Sequence, residues 1–201
     1  MKQKIRWIML IIALVLFGII VYCLNVGKIH AFDNYIYNVI SKTISPVLTT
    51  IAIIITNIGG TIGVAIVTLL LMIFMKNRNH KKYILINLAI ILLSNQALKY
   101  LFVRERPNIN RLVEVTGFSF PSGHSMVNAA FYGFLVYLAY KYIENKRTRN
   151  IIIALLLLLI LLIGLSRVYL GVHYASDVVG GFAISTAYLM IFTVLIRQKL
   201  D

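Results

Sequence analysis

The chain has 201 residues, 60% of them hydrophobic and only 13% charged, with a net charge of +14. No soluble domain of this size needs so much apolar surface, and several runs approach the roughly 18–20 residues that span a bilayer, so composition predicts one polytopic membrane domain over residues 1–201. The positive charge is not gathered into a basic groove with interleaved aromatics, which excludes a nucleic-acid-binding surface, and the lone Cys23 excludes an intrachain disulfide and a cysteine-built zinc cluster.

In chain order, Lys2, Lys4 and Arg6 precede an apolar run. The run is long for a signal peptide and lacks a small-x-small cleavage site, which predicts an uncleaved first span over Trp7–Leu24. In Ala31–Thr43, Phe32, Ile36, Val39 and Ile40 fall on one side at helical spacing, while Asp33, Asn34, Asn38 and Lys42 fall elsewhere. That suits a short amphipathic helix on the membrane surface; an ordinary helix packed on the bundle fits the same pattern. The run Pro46–Met75 is interrupted at Asn57-Ile58-Gly59-Gly60. Two crossings there would each be too short, so the second span is expected near Gly60–Met75, with the Ile-rich part before it packed on the outer side.

The third span is expected over Tyr83–Val103, closed by Arg106-Pro107 because the residue before proline disfavours the α region. A polar loop follows over Asn108–Phe120. Pro121-Ser122 opens the fourth span, which runs to Tyr142. The fifth covers Ile151–Leu165 and the sixth Tyr174–Ile196, where Gly180 and Gly181 permit close helix contact. The predicted fold class is all-α, an integral membrane bundle of six transmembrane helices with a short amphipathic interfacial helix. With both termini inside, 13 of the 20 Lys and Arg fall on inner segments and 7 on outer ones. That bias predicts cytoplasmic termini in the cell membrane.

On this topology Lys99–Pro107, Pro121–His124 and Ser166–Asp177 reach one outer, extracytoplasmic face. Lys99, Arg106 and Arg167 are three cations; arginine forks match phosphate oxygens and lysine adds a point charge. Pro121-Ser122-Gly123-His124 opens a helix whose free N–H groups favour an anion. Gly123 lets the backbone approach, and Ser122 adds a hydroxyl. His173 and Asp177 are four apart, so on a helix they share a face, and the carboxylate orients the imidazole. His173 is thus the expected nucleophile toward phosphorus, forming a phosphohistidine, and His124 the acid that protonates the leaving oxygen and later takes a proton from water. Few acids are near to bind Mg²⁺, so fixed cations are expected to replace a metal, and no cofactor is expected. A zinc held by His124, His173 and Asp177 would be repelled by the three cations.

These segments resemble the signature of the type-2 phosphatidic acid phosphatase superfamily: Lys-x6-Arg-Pro, then Pro-Ser-Gly-His, then Ser-Arg-x5-His-x3-Asp. Here they read Lys99…Arg106-Pro107, Pro121-Ser122-Gly123-His124 and Ser166-Arg167…His173…Asp177. A composite match over residues 99–177 is far more specific than any lone motif. The resemblance implies a metal-independent phosphatase with His173 as nucleophile, Asp177 as its partner and His124 as acid/base. It implies that Lys99, Arg106, Ser122, Gly123 and Arg167 bind phosphate. The soluble vanadate haloperoxidases of the same superfamily lack such spans. Small size and short loops resemble bacterial members of the phosphatidylglycerophosphatase B kind, which act on lipid phosphates or undecaprenyl diphosphate at the outer leaflet.

The expected partners are therefore the bilayer and a lipid phosphate drawn from it, with oligomeric state open. Phosphotransfer to an acceptor other than water is a rival enzymatic reading. Lipid or ion transport is a non-enzymatic one, without the interrupted helices in both halves that transporters show. Arg104, Glu105, Arg111 and Glu114 are expected to be solvated loop charges. Asn95, Gln96 and Asn128 are expected to bond between helices, and Tyr169 is a candidate to line the site.

Overall fold

The computed structural model describes residues 3–108 and 110–200, and among these every regular element is helical. The elements are α1 (Gln3–Asn25), α2 (His30–Ser41), α3 (Pro46–Ile58), α4 (Thr61–Phe74), α5 (Arg78–Phe102), α6 (Gly123–Tyr142), α7 (Lys146–Tyr169) and α8 (Ala175–Leu195), followed by a 3₁₀ turn (Arg197–Lys199).

Local chemistry sets several helix starts. Ser45 accepts from the Leu48 N–H and Pro46 follows at the first helical position. Asn77 and Asn145 cap α5 and α7 with their side-chain oxygens. The last two caps explain why both helices start earlier than expected from hydropathy: their first turns are basic, so an apolar run undercounts them.

Helix α6 is the axis of the bundle, packed by α5, α7 and α8, and it buries residues on every side. Ile84 of α5, Phe131 and Phe134 of α6, Ile163 of α7 and Phe192 of α8 form the largest core. Helix α1 lies against α8 through Leu10, Ala13 and Ala187. Outward faces are apolar: Ile62, Leu69 and Phe74 on α4 and Leu155, Leu158 and Leu161 on α7 are exposed. Faces this apolar mark contact with lipid.

Among the described residues, four helices are long and apolar enough to cross a membrane: α1, α5, α7 and α8. Helices α3 and α4 pass together as a pair bent by 50°, which makes up to five such spans by length and composition. The break lies at Gly59-Gly60, where the sequence shows its interruption, so the Ile-rich segment and the expected second span are two halves of one bent unit. The expected six-span count is not reached by these criteria because α6 falls outside them. Surrounded by protein, α6 carries polar residues such as Ser125 and Asn128 that a lipid-facing helix would not.

Helix α2 packs on the bundle through Ile36 and Ile40 and leaves Phe32, Tyr35 and Val39 exposed. Its Asp33, expected on the polar side, turns inward and is 2% exposed.

Candidate active site

The ends of α5, α6, α7 and α8 meet around His173, beside the α3–α4 break. Three close approaches make this possible. The Ser122 N–H donates to the Asp177 carbonyl at 3.1 Å, tying the start of α6 to the start of α8. A Cβ on Gly181 would stand 3.1 Å from the Ser122 carbonyl, and one on Gly180 would stand 2.6 Å from the Phe120 ring, so α8 seats here only with glycine. Gly171, at φ +70°, turns the chain after α7, and the Val172 and His173 N–H groups both donate back to the Arg167 carbonyl.

His173 lies in this turn rather than on a helix with Asp177, which occupies the first turn of α8. The spacing of four still joins them: His173 Nδ1 is 3.3 Å from Asp177 Oδ2. The same oxygen accepts from the Ser119 hydroxyl at 2.5 Å and the Tyr174 N–H at 2.9 Å. An ionised carboxylate only accepts, so Nδ1 carries the ring proton and Nε2 presents its lone pair. Arg106 Nη1 donates toward that lone pair at 3.1 Å. Burial pushes the His173 imidazole down to about 4. Asp177 opposes that shift by its hydrogen bond and charge, and the Arg106 and Arg167 cations reinforce it. At neutral pH the ring is uncharged.

Arg106 is held rigidly. Its Nε donates to the Gly117 carbonyl at 2.8 Å, Nη2 to Thr116 at 2.9 Å and Nη1 to Val172 at 2.9 Å. Burial lowers its pKa. Lys99, in the last turn of α5, donates to the Phe118 carbonyl. Arg167 is 4% exposed and donates from Nη1 to Thr56 Oγ1 at 2.7 Å, a residue of α3 that the sequence reading did not connect to the site. Lys99, Arg106, Arg167, His124 and His173 lie within electrostatic reach of one another.

Ser122 is fully buried at the start of α6, where its oxygen accepts from the Ser125 N–H and hydroxyl. A Cβ on Gly123 would stand 3.1 Å from Asn95 Oδ1, so the glycine lets the start of α6 pack close against α5. His124 follows on the first turn of α6, beside the α3–α4 break: a Cβ on Gly60 would stand 3.7 Å from its Nε2. Asn128 secures that contact by donating to both the Gly59 and the His124 carbonyls at 2.7 Å. All eight residues singled out from the sequence therefore surround one region.

A cavity of about 350 Å³ opens beside His124 between α4, α5 and α6. Its polar end carries His124 and Asn95, and Val64, Leu88, Leu92 and Val127 give it apolar walls. Among the described residues no group of three or more His, Cys, Asp or Glu converges as a metal-ligand set.

Four readings of individual residues change. Arg104 is not a solvated loop charge: it is 8% exposed and bonds Asp177 Oδ1 at 2.6 Å and Asp33 Oδ2 at 2.7 Å. Its neighbours Glu105, Arg111 and Glu114 are exposed. Ser119, read as part of a loop, is fully buried against Asp177 and His173. Tyr169 spends its hydroxyl on Ser45 and Thr49 at the start of α3 and is a fold residue. Asn95 bonds between α5 and the start of α6, whereas Gln96 is exposed.

A profile of the PAP2 superfamily matches residues 80–201. The chain belongs to the PAP2 superfamily. Phosphatidylglycerophosphatase B of Bacillus subtilis (strain 168) is 40% identical over 93 residues, which cover 46% of this chain and 46% of that protein. The match thus spans about half the length of that curated relative. The crystal structure of a transmembrane PAP2-type phosphatidylglycerolphosphate phosphatase from Bacillus subtilis superposes with a TM-score of 0.86 at 26% identity, covering 96% of this chain and 97% of the other. Aquifex aeolicus LpxE shares the fold, with a TM-score of 0.64 at 23% identity over 80% of this chain and 93% of its own.

Proposed function

We propose that this PAP2 protein is a membrane lipid phosphatase that works through a phosphohistidine on His173. The observation that carries this reading is the Nε2 lone pair of His173, backed by Asp177 through Nδ1 and faced by Arg106 at 3.1 Å. Nε2 attacks phosphorus as the bond to the lipid oxygen breaks, and His124 gives that oxygen a proton. Water, losing a proton to His124, then attacks the phosphohistidine and releases inorganic phosphate and free His173. Lys99, Arg106, Arg167, the Ser122 hydroxyl and the Gly123 backbone hold the phosphoryl oxygens. Their fixed charge stabilises the transition state.

The apolar cavity ending at His124 and Asn95 supports a substrate anchored in the bilayer. Helix α6, with 20 residues and a length of about 30 Å, serves as the sixth crossing inside the ring of the other spans. Both termini lie in the cytoplasm and the site faces outward, in keeping with the Lys/Arg bias. Phosphatidylglycerophosphate, by analogy with the Bacillus subtilis relatives, and undecaprenyl diphosphate, from the family resemblance of the motifs, are the substrates we favour; phosphatidic acid is the alternative. The test is phosphate release by the purified chain from each of these three lipids in one detergent. Release from at least one, lost in His173→Ala, is expected. Full activity in purified His173→Ala would overturn the assignment.

A further inference from the structure

Asp177 has two carboxylate oxygens with separate duties. Oδ2 takes the Ser119 hydroxyl, the Tyr174 N–H and His173 Nδ1. Oδ1 takes Arg104 Nη1 at 2.6 Å. Arg104 has further partners. Nη1 also reaches Ser176 Oγ at 2.8 Å, Nη2 reaches Asp33 Oδ2 at 2.7 Å, and the guanidinium lies 4.0 Å from the centre of the Tyr174 ring. Asp33 in turn accepts from the Ser176 N–H and hydroxyl, both at 2.8 Å. Arg104, Asp33, Ser176 and Asp177 are all buried. One cation is thus shared between two carboxylates, with three of its hydrogen bonds made inside this network.

Buried ion pairs are a poor way to gain stability, because desolvation offsets most of the attraction, and an apolar cluster of the same volume often does as well. What such a network does supply is geometry. A planar arginine fork holds two carboxylates in a fixed relative geometry, which a lysine ammonium with rotatable donors does not impose. Arg104 fixes the rotation of the Asp177 carboxylate and so keeps Oδ2 aimed at His173. Asp33 fixes Arg104 and at the same time anchors the first turn of α8.

We propose that Arg104 and Asp33 are positioning residues that lock Asp177 against His173, which makes the surface helix α2 part of the catalytic framework. This rests on the lipid-phosphatase reading above. Neither residue touches substrate, so the pair governs the chemical step and leaves phosphate binding alone.

The experiment uses the full chain purified in detergent, with phosphatidylglycerophosphate as substrate and inorganic phosphate as competitive inhibitor. Wild type, Asp33→Asn, Arg104→Gln, Arg104→Lys and His173→Ala are compared. Asp33→Asn is near-isosteric and carries the test even if Arg104→Gln fails to fold. In Asp33→Asn and Arg104→Gln, kcat is expected to fall on the order of 10²-fold, the scale of a roughly 1 Å misplacement of a reacting group. KM and the inhibition constant for phosphate stay within about twofold of wild type, as expected when an interaction is lost only in the transition state. Arg104→Lys, which keeps the charge but not the fork, falls between. Folded Asp33→Asn with wild-type kcat overturns the proposal. A loss confined to KM and phosphate inhibition overturns it too, since that would make Arg104 a phosphate ligand. So does a loss that disappears when activity is expressed per folded molecule. If wild type hydrolyses no lipid phosphate, the underlying reading fails; if wild type is active, His173→Ala is dead and Asp33→Asn is unchanged, only this inference fails.

Discussion

Lowering the pH tests how the fold controls His173. Burial holds its imidazole at about 4 against an ordinary value of 6.5, and the Arg106 and Arg167 charges push the same way. A gap of that size corresponds to roughly 3 kcal/mol favouring the neutral ring in the folded chain. Between about 6.5 and 4 the unfolded chain binds a proton that the folded chain refuses. This contribution to stability is therefore complete above about 6.5 and lost as pH falls through about 4. The same shift keeps the Nε2 lone pair available down to about pH 4. The assay is a titration of ¹³C-labelled histidine Cε1 signals, with His173 identified by its absence in His173→Ala. A midpoint near 4 is expected. In Asp177→Asn the midpoint moves lower still, because the hydrogen bond and charge that oppose burial are removed. A wild-type midpoint near 6.5 would refute the reasoning, since it would mean that water reaches the ring. An upward move in Asp177→Asn would refute the role given to the carboxylate.

Three further outcomes are expected. Ser119→Ala removes a buried hydroxyl 2.5 Å from Asp177 Oδ2; a hydrogen bond to a charged group is worth about 1.5–3 kcal/mol, so kcat should drop by roughly 10- to 10²-fold with phosphate inhibition unchanged. An undiminished kcat would show that the hydroxyl is idle. Gly171→Ala places a side chain at φ +70° with its Cβ 2.7 Å from the Asn110 carbonyl. Thermal melts should show a loss of about 1–3 kcal/mol, accompanied by reduced activity because the turn presents His173; wild-type stability would mean that the turn relaxes freely. Activity should survive EDTA, because the proposed transition-state charge is met by Lys99, Arg106 and Arg167; complete loss restored by Mg²⁺ would sink the metal-free mechanism.

The parts of this architecture that were legible in the sequence are those written in local spacing. Gly59-Gly60 breaks an apolar run wherever the run lies, and each site segment covers a helix end and the turn beside it, so its residues are close in the chain. Helix α6 was legible as an element, expected from Pro121 to Tyr142 and found over Gly123–Tyr142, although its polar, protein-packed faces leave it less apolar than the helices that meet the span criteria. The larger gap was the Arg104 network, whose partners are 71 to 73 residues away in the chain. No periodicity links such distant positions, and a loop arginine beside a phosphate motif looks solvated. Yet the composition held a usable signal. The chain has 20 Lys and Arg but only six Asp and Glu, so a carboxylate is scarce and its placement informative. Asp33 sits alone in a helix whose apolar face was assigned to the membrane, and burying it demands a cation. Asp33 and Asp177 are the two carboxylates that the fold brings to Arg104. The same scarcity bears on the other site arginines: Arg167 is buried against the Thr56 hydroxyl. Arg106 turns to the carbonyls of Thr116, Gly117 and Val172, neutral acceptors that leave it the charge which the proposed mechanism sets against the phosphate.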